Sequence, residues 1–126
     1  MRSGVNMQKY SCDQFEALTY FDATPDFESG TNTPRDYLEK CIEQIANKEQ
    51  DVKAFVTLNL ETARQLADES SRRWKNARQL SLIDGMPVGI KDLLETFDMP
   101  TQMGCEAYNG YAPGNDNALV LSLIHI

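Results

Sequence analysis

The chain has 126 residues, with 12 Lys+Arg against 19 Asp+Glu, a net charge of −7 and a sequence pI of about 4.6. Hydrophobic residues at 41% and charged residues at 25% lie near globular averages, which excludes wholesale disorder. The acidic balance argues against direct nucleic-acid binding, which needs a clustered basic surface, and no apolar run reaches the roughly eighteen residues of a membrane span.

Residues 1–32 read as a partly ordered N-terminal arm. The stretch 22–32 is dense in turn formers and acids, and no helical or strand period survives in it. A short docking helix carried by Tyr10, Phe15, Leu18, Tyr20 and Phe21 is the other reading of its apolar residues. No apolar h-region follows the first charges, so no signal peptide is expected.

At Thr33 the pattern changes. Thr33 is a good N-cap, Pro34 suits the first helical position, and Asp36 falls in the acidic first turn. Leu38, Cys41, Ile42 and Ile45 recur at i, i+3, i+4 and i+7, predicting a helix over 34–47 with Cys41 on its buried side. Lys48–Asp51 reads as a polar turn, and the β-branched and aromatic run that follows predicts a short strand near 53–58. A second helix is expected over 60–78. Ala63, Leu66, Ala67, Ser70, Trp74 and Ala77 form its apolar face, and the intervening charges form a solvated one. Leu38, Ile42, Ile45, Leu66 and Trp74 are the expected core.

Beyond Gln79 glycine and proline concentrate, and Lys91 is the only Lys or Arg after Arg78. Asp84-Gly85 reads as a turn. Pro87-Val88-Gly89-Ile90 reads as a strand entering the core, with Gly89 marking close approach by another backbone. Lys91 and Asp92 come directly off it. Burying an ammonium is costly unless it is paired, so a lysine there is a candidate general base or amine nucleophile. The bland alternatives are a lysine that snorkels to the surface or one that pairs with Asp92. Opposite-facing neighbours on a strand weaken the second. The loop Thr101-Gln-Met-Gly104-Cys105 either supplies backbone donors to a pocket or is a plain connection. Cys12, Cys41 and Cys105 form no Cys-x-x-Cys pair, which suggests reduced thiols in a cytoplasmic setting rather than disulfides or zinc. The single histidine, His125, is the penultimate residue and a poor basis for a histidine-dependent site.

Gly85-Met-Pro-Val-Gly-Ile-Lys-Asp92, then Met99-Pro-Thr101 and Gly104, then Asp116-Asn-Ala-Leu-Val120 together resemble the N-terminal third of the amidase signature family. The resemblance covers residues 34–120. It implies an α/β fold, a large mixed sheet flanked by helices, of which residues 33–120 would supply only the N-terminal portion. It also implies carboxamide hydrolysis by a Ser–cis-Ser–Lys triad, with the triad lysine on Lys91. Asp92, Thr101, Gly104 and Cys105 would support or line the substrate pocket. In that mechanism the neutral amine, acting through the bridging serine, takes the nucleophile's proton and returns it to the leaving amine. The expected partner is a small carboxamide, with no metal, no organic cofactor, no directly bound nucleic acid and no membrane; oligomeric state is not specified by these residues.

Two departures accompany the resemblance. Cys105 stands where the family commonly has serine. Residues 121–126, Leu-Ser-Leu-Ile-His-Ile, replace the expected helix and turn and read as an atypical, artefact-like tail. The family's two serines belong to a Gly/Ser-rich stretch that does not occur here, so the expectation is a fragment of a cytoplasmic amidase, inactive alone and contributing only the lysine. Two other readings stand beside it. One is a fragment of the A component of a tRNA-dependent amidotransferase, from the same family. The other is a non-catalytic helical interaction module in which Lys91 is structural.

Overall fold

A computed structural model describes residues 19–124. Its elements are helices α1 (Tyr20–Ser29), α2 (Pro34–Val52), α3 (Leu60–Lys75) and α4 (Ala118–Ile124), with one 3-10 turn at Glu106–Tyr108.

The first helix overturns the reading of 22–32 as lacking a helical period. Thr19 caps it by accepting from the Asp22 N–H at 3.3 Å, and Gly30 ends it at φ 75°. Pro25 lies inside it, where a proline cannot donate to the carbonyl four residues back. The buried Thr24 hydroxyl supplies the missing donor, reaching the Phe21 carbonyl at 2.9 Å. Tyr10, Phe15 and Leu18, the other residues of the docking-helix reading, lie outside the described residues.

Helix α2 starts as its cap predicts: Thr33 accepts from the Asp36 N–H at 3.1 Å and returns its hydroxyl to the Asp36 carboxylate at 2.6 Å. It runs five residues beyond the expected end, to Val52, because Lys48–Asp51 contains good helix formers and no Gly or Pro. Lys53, at φ 52°, ends it in the left-handed region. Asn59 caps α3, which stops at Lys75 rather than 78.

The mixed sheet is a correction. Among the described residues there is no strand, only an isolated antiparallel bridge between Thr96 and Met99. A strand is held by hydrogen bonds to a neighbouring strand, and the run 54–58 has no such neighbour here. The Phe55 N–H instead donates to the Glu49 carboxylate at 2.7 Å, and Phe55, Val56 and Leu58 are all exposed. The segment 87–90, read as a strand entering the core, is likewise irregular, with Val88 and Gly89 exposed. A side chain at Gly89 would meet nothing, so the close approach expected there is absent.

The close approach occurs four residues earlier. Gly85 sits at φ +88°, and a Cβ there would lie 2.8 Å from the Ser70 Cβ and 2.9 Å from the Pro34 Cβ. Only glycine combines that backbone conformation with that contact.

The core is aromatic. Tyr20 and Phe27 of α1 meet Tyr37 of α2 and Trp74 of α3, with ring centroids 5.0 Å apart for Tyr20–Tyr37 and 5.6 Å for Phe27–Trp74, both edge-on. Each buried ring contributes on the order of 2 kcal/mol over exposure, and edge-on pairs add to that. Three side chains then converge on one backbone carbonyl. The Tyr20 hydroxyl, the Ser70 hydroxyl (3.0 Å) and the Trp74 indole N–H (3.0 Å) all donate to the carbonyl oxygen of Asp84. The Asp84 carboxylate, buried beside it, takes a two-pronged bond from Arg73 at 2.7 and 2.6 Å and a third from the Leu80 N–H at 3.1 Å.

Of the expected core, Leu38 and Trp74 are buried and Ile42 and Ile45 half-buried. Leu66 is 57% exposed, because only the side of α3 carrying Ala67, Ser70 and Trp74 is covered. Arg35, Glu39, Arg64 and Asp68 tie α2 to α3 across their outer faces, a partly exposed network whose worth is small. Cys41 is half-buried on α2, and burial pushes its thiol up, away from the reactive thiolate. Residues 121–124, expected as part of an atypical tail, belong to α4, whose first turn is held by the Asn117 side chain accepting from the Leu119 N–H at 3.0 Å.

Candidate active-site cleft

Residues 90–117 have little regular structure and hold their shape by side-chain-to-backbone bonds. The chain turns directly after Ile90: the Leu93 and Leu94 N–H groups both reach the Lys91 carbonyl, at 2.7 and 3.0 Å. Asp92 then accepts the Gln102 N–H at 2.7 Å. That single contact draws the loop 101–105 back over the turn that carries Lys91. Met103 (φ 57°) and Gly104 (φ 64°) take the left-handed region at its tip, and the Cys105 N–H closes on the Gln102 carbonyl at 3.0 Å. Thr101 is 1% exposed, and its N–H donates to the Tyr111 carbonyl at 2.9 Å. Further along, Glu95 accepts from the Tyr111 hydroxyl and the Asn115 amide, while Asp116 accepts the Phe97 N–H.

Between this loop and the link from α2 to α3 lies a cleft of about 480 Å³. Ala54–Thr57 form one wall; Ile90–Leu94, Thr96, Met99, Pro100, Met103 and Gly104 form the rest. Of the residues singled out from the sequence, Lys91, Asp92 and Gly104 meet at this cleft. Thr101 is buried behind it, and Cys105, exposed, is the next residue beyond its edge. Lys91 is exposed rather than enclosed. Among the described residues no serine lines the cleft, and no group of three His, Cys, Asp or Glu could hold a metal ion.

The wall residues Phe55 and Val56 belong to the run read as a strand, and sequence pattern alone assigns them no part in a cleft. Their apolar character in a run with no strand partner among the described residues is the available signal. The structure places the Asp92 carboxylate on the Gln102 N–H, so it acts as a clip between two turns.

The Amidase family profile matches residues 36–125, which include every residue of the cleft. The chain belongs to the amidase family. Within the amidase family it is 32% identical over 97 residues to the A component of the mitochondrial glutamyl-tRNA(Gln) amidotransferase of Macaca fascicularis, covering 77% of this chain and 18% of that protein. The Homo sapiens protein of the same name is 31% identical over the same shares. The A component of the glutamyl-tRNA(Gln) amidotransferase of Chloroflexus aggregans is 30% identical over 107 residues, 85% of this chain and 22% of that protein. The chain thus spans about a fifth of the length of these amidase-family relatives. No solved structure matches it, and no helix among the described residues is long and apolar enough to cross a membrane.

Proposed function

We propose that this chain supplies the lysine-bearing part of an enzyme that hydrolyses carboxamide C–N bonds, with Lys91 as the proton-transfer group of a Ser–cis-Ser–Lys triad. The observation that carries this reading is the position of Lys91 on a cleft whose facing loop, ending in Gly104, is clipped to it by Asp92. In the proposed reaction a serine oxygen attacks the amide carbon while its proton passes through the bridging serine to the Lys91 amine. The C–N bond then breaks, the leaving amine takes that proton, and water later releases the acid from the serine ester. Lys91 cannot replace the nucleophile, because acyl transfer also needs a positioned hydroxyl and oxyanion donors. The chain by itself should therefore leave aryl and alkyl amides intact.

A second reading is favoured by the names of the relatives: the same centre working as part of a tRNA-dependent amidotransferase. Under either reading we place the enzyme in the cytoplasm, a reading supported by cysteines with no Cys-x-x-Cys pair, and the proposed chemistry calls on no metal.

The test is a chimaera in which residues 36–120 replace the matching part of the Chloroflexus aggregans relative. Amide hydrolysis should fall by roughly two to four decades with Lys91→Met, the usual range for a general acid–base group. Lys91→Arg should rescue little, since a guanidinium stays charged. Near-normal turnover of Lys91→Arg would remove the proton-transfer role.

A further inference from the structure

We propose that Asn109 is a self-modifying site: the Gly110 backbone nitrogen attacks its side-chain carbonyl carbon, and the resulting isoaspartate frees Thr101 from the turn that holds it. Attack of this kind is least hindered when glycine follows asparagine, because no Cβ shields the nitrogen. Asn109-Gly110 is the only such pair in the sequence. The structure also sets Asn109 apart from the other asparagines. Asn109 and Gly110 are exposed, and among the described residues neither the Asn109 side chain nor the Gly110 N–H has a hydrogen-bond partner. The side chains of Asn32, Asn59, Asn76, Asn115 and Asn117 are all hydrogen-bonded. Asn47 lies inside α2, where the following N–H is tied into the helix.

Asn109 follows the 3-10 turn at φ −59° and ψ 119°, and Gly110 has φ 77°. These are the angles of a type II turn, closed by the Tyr111 N–H on the Tyr108 carbonyl at 2.9 Å. Attack requires the peptide after Asn109 to rotate out of that turn. The rotation gives up the closing bond between exposed residues, and a Cβ at Gly110 would meet nothing within 4 Å, so no neighbour blocks it. The Gly110 nitrogen then loses its proton and bonds to Asn109 Cγ. The bond from Cγ to the side-chain nitrogen breaks, and ammonia leaves with a proton. Water opens the resulting succinimide ring. Opening at Cγ gives aspartate; opening at the backbone carbon leaves the main chain running through Cγ as isoaspartate. Water is the only co-reactant.

Isoaspartate adds a methylene to the main chain inside the turn. The carbonyl of Tyr111, the residue that closes the turn, accepts the N–H of Thr101 at 2.9 Å, and Thr101 is 1% exposed. A longer turn displaces that carbonyl. A buried N–H left without its acceptor is costly, so the loop 101–105 loosens where it is drawn back over the Lys91 turn by the Gln102–Asp92 contact.

The test is ageing of the 126-residue chain at 37 °C and pH 8.5, followed by peptide mass mapping and an isoaspartyl methyltransferase assay. Asn109 should convert ahead of every other described asparagine, with isoaspartate among the products. Conversion should slow at pH 6, where the backbone nitrogen gives up its proton less often. It should be lost in Asn109→Gln, whose longer side chain would have to close a larger ring. Hydrogen exchange of the Thr101 amide should lose its protection in the isoaspartyl chain. A fresh Asn109→Asp variant, which carries the charge without the longer backbone, should keep that protection, and far-UV circular dichroism checks that both variants fold. Direct hydrolysis of the amide yields aspartate alone, so aspartate without isoaspartate would overturn the proposal. Asn109 still intact after a peptide spanning residues 106–113 has converted would overturn it too, as would an isoaspartyl chain in which Thr101 stays protected.

Discussion

Arg73→Met should cost about 3 kcal/mol of folding stability at pH 7, the low end of the range for breaking a buried ion pair. The Asp84 side chain is 3% exposed and Arg73's is 30% exposed, so the substitution strands a buried carboxylate but removes a cation that keeps some water. Two short bonds from Arg73 vanish, leaving the Leu80 N–H and the Ser70 hydroxyl beside the carboxylate. Burial by itself raises Asp84, yet the Arg73 fork, the Leu80 amide and the Ser70 hydroxyl together outweigh it and hold the carboxyl below its ordinary 3.8. In the parent, this pair's stabilisation is therefore present above the unfolded value and is lost as pH falls through the lower folded one. In Arg73→Met burial wins, the carboxyl rises above its unfolded value, and protonation relieves the penalty. The deficit should thus be largest at pH 7 and shrink as pH falls toward 4. Urea unfolding followed by Trp74 fluorescence at pH 7, 5.5 and 4 measures it, with a fall in Tm of roughly 10–20 °C at pH 7. A deficit below about 1 kcal/mol at pH 7, or one equal at pH 7 and 4, would refute the reasoning.

Gly85→Ala should destabilise by about 2–4 kcal/mol, combining a left-handed backbone with overpacking against Ser70 and Pro34. Thermal unfolding checks it, and a Tm within a degree or two of the parent would mean that the turn yields. Thr24→Val keeps the shape but removes the hydroxyl that serves the Phe21 carbonyl, so about 1 kcal/mol should be lost. Hydrogen exchange should quicken in α1 and stay unchanged in α3; uniform change across both helices would contradict a local role.

Local chemistry written along the chain determined the starts of α2 and α3. Thr33, Pro34 and Asp36 act within one turn of each other, and the Leu38–Ile45 stripe repeats within one helix face. Lys91, Asp92 and Gly104 were legible as well, through residue type and a family string. The rest depended on distant partners. Pro25 and the turn formers hide α1 until Thr24 supplies its hydroxyl and Tyr20 reaches Asp84, 64 residues away. The 54–58 run has strand propensity, but a strand exists only through bonds to another strand, and Glu49 takes the Phe55 N–H instead. Periodicity could mark Leu66 as apolar but not say whether a neighbour covers it. Caps and periodicity act between residues a few positions apart. Burial, sheet pairing and the walls of a cleft are contacts across the chain, and only the tertiary structure decides them.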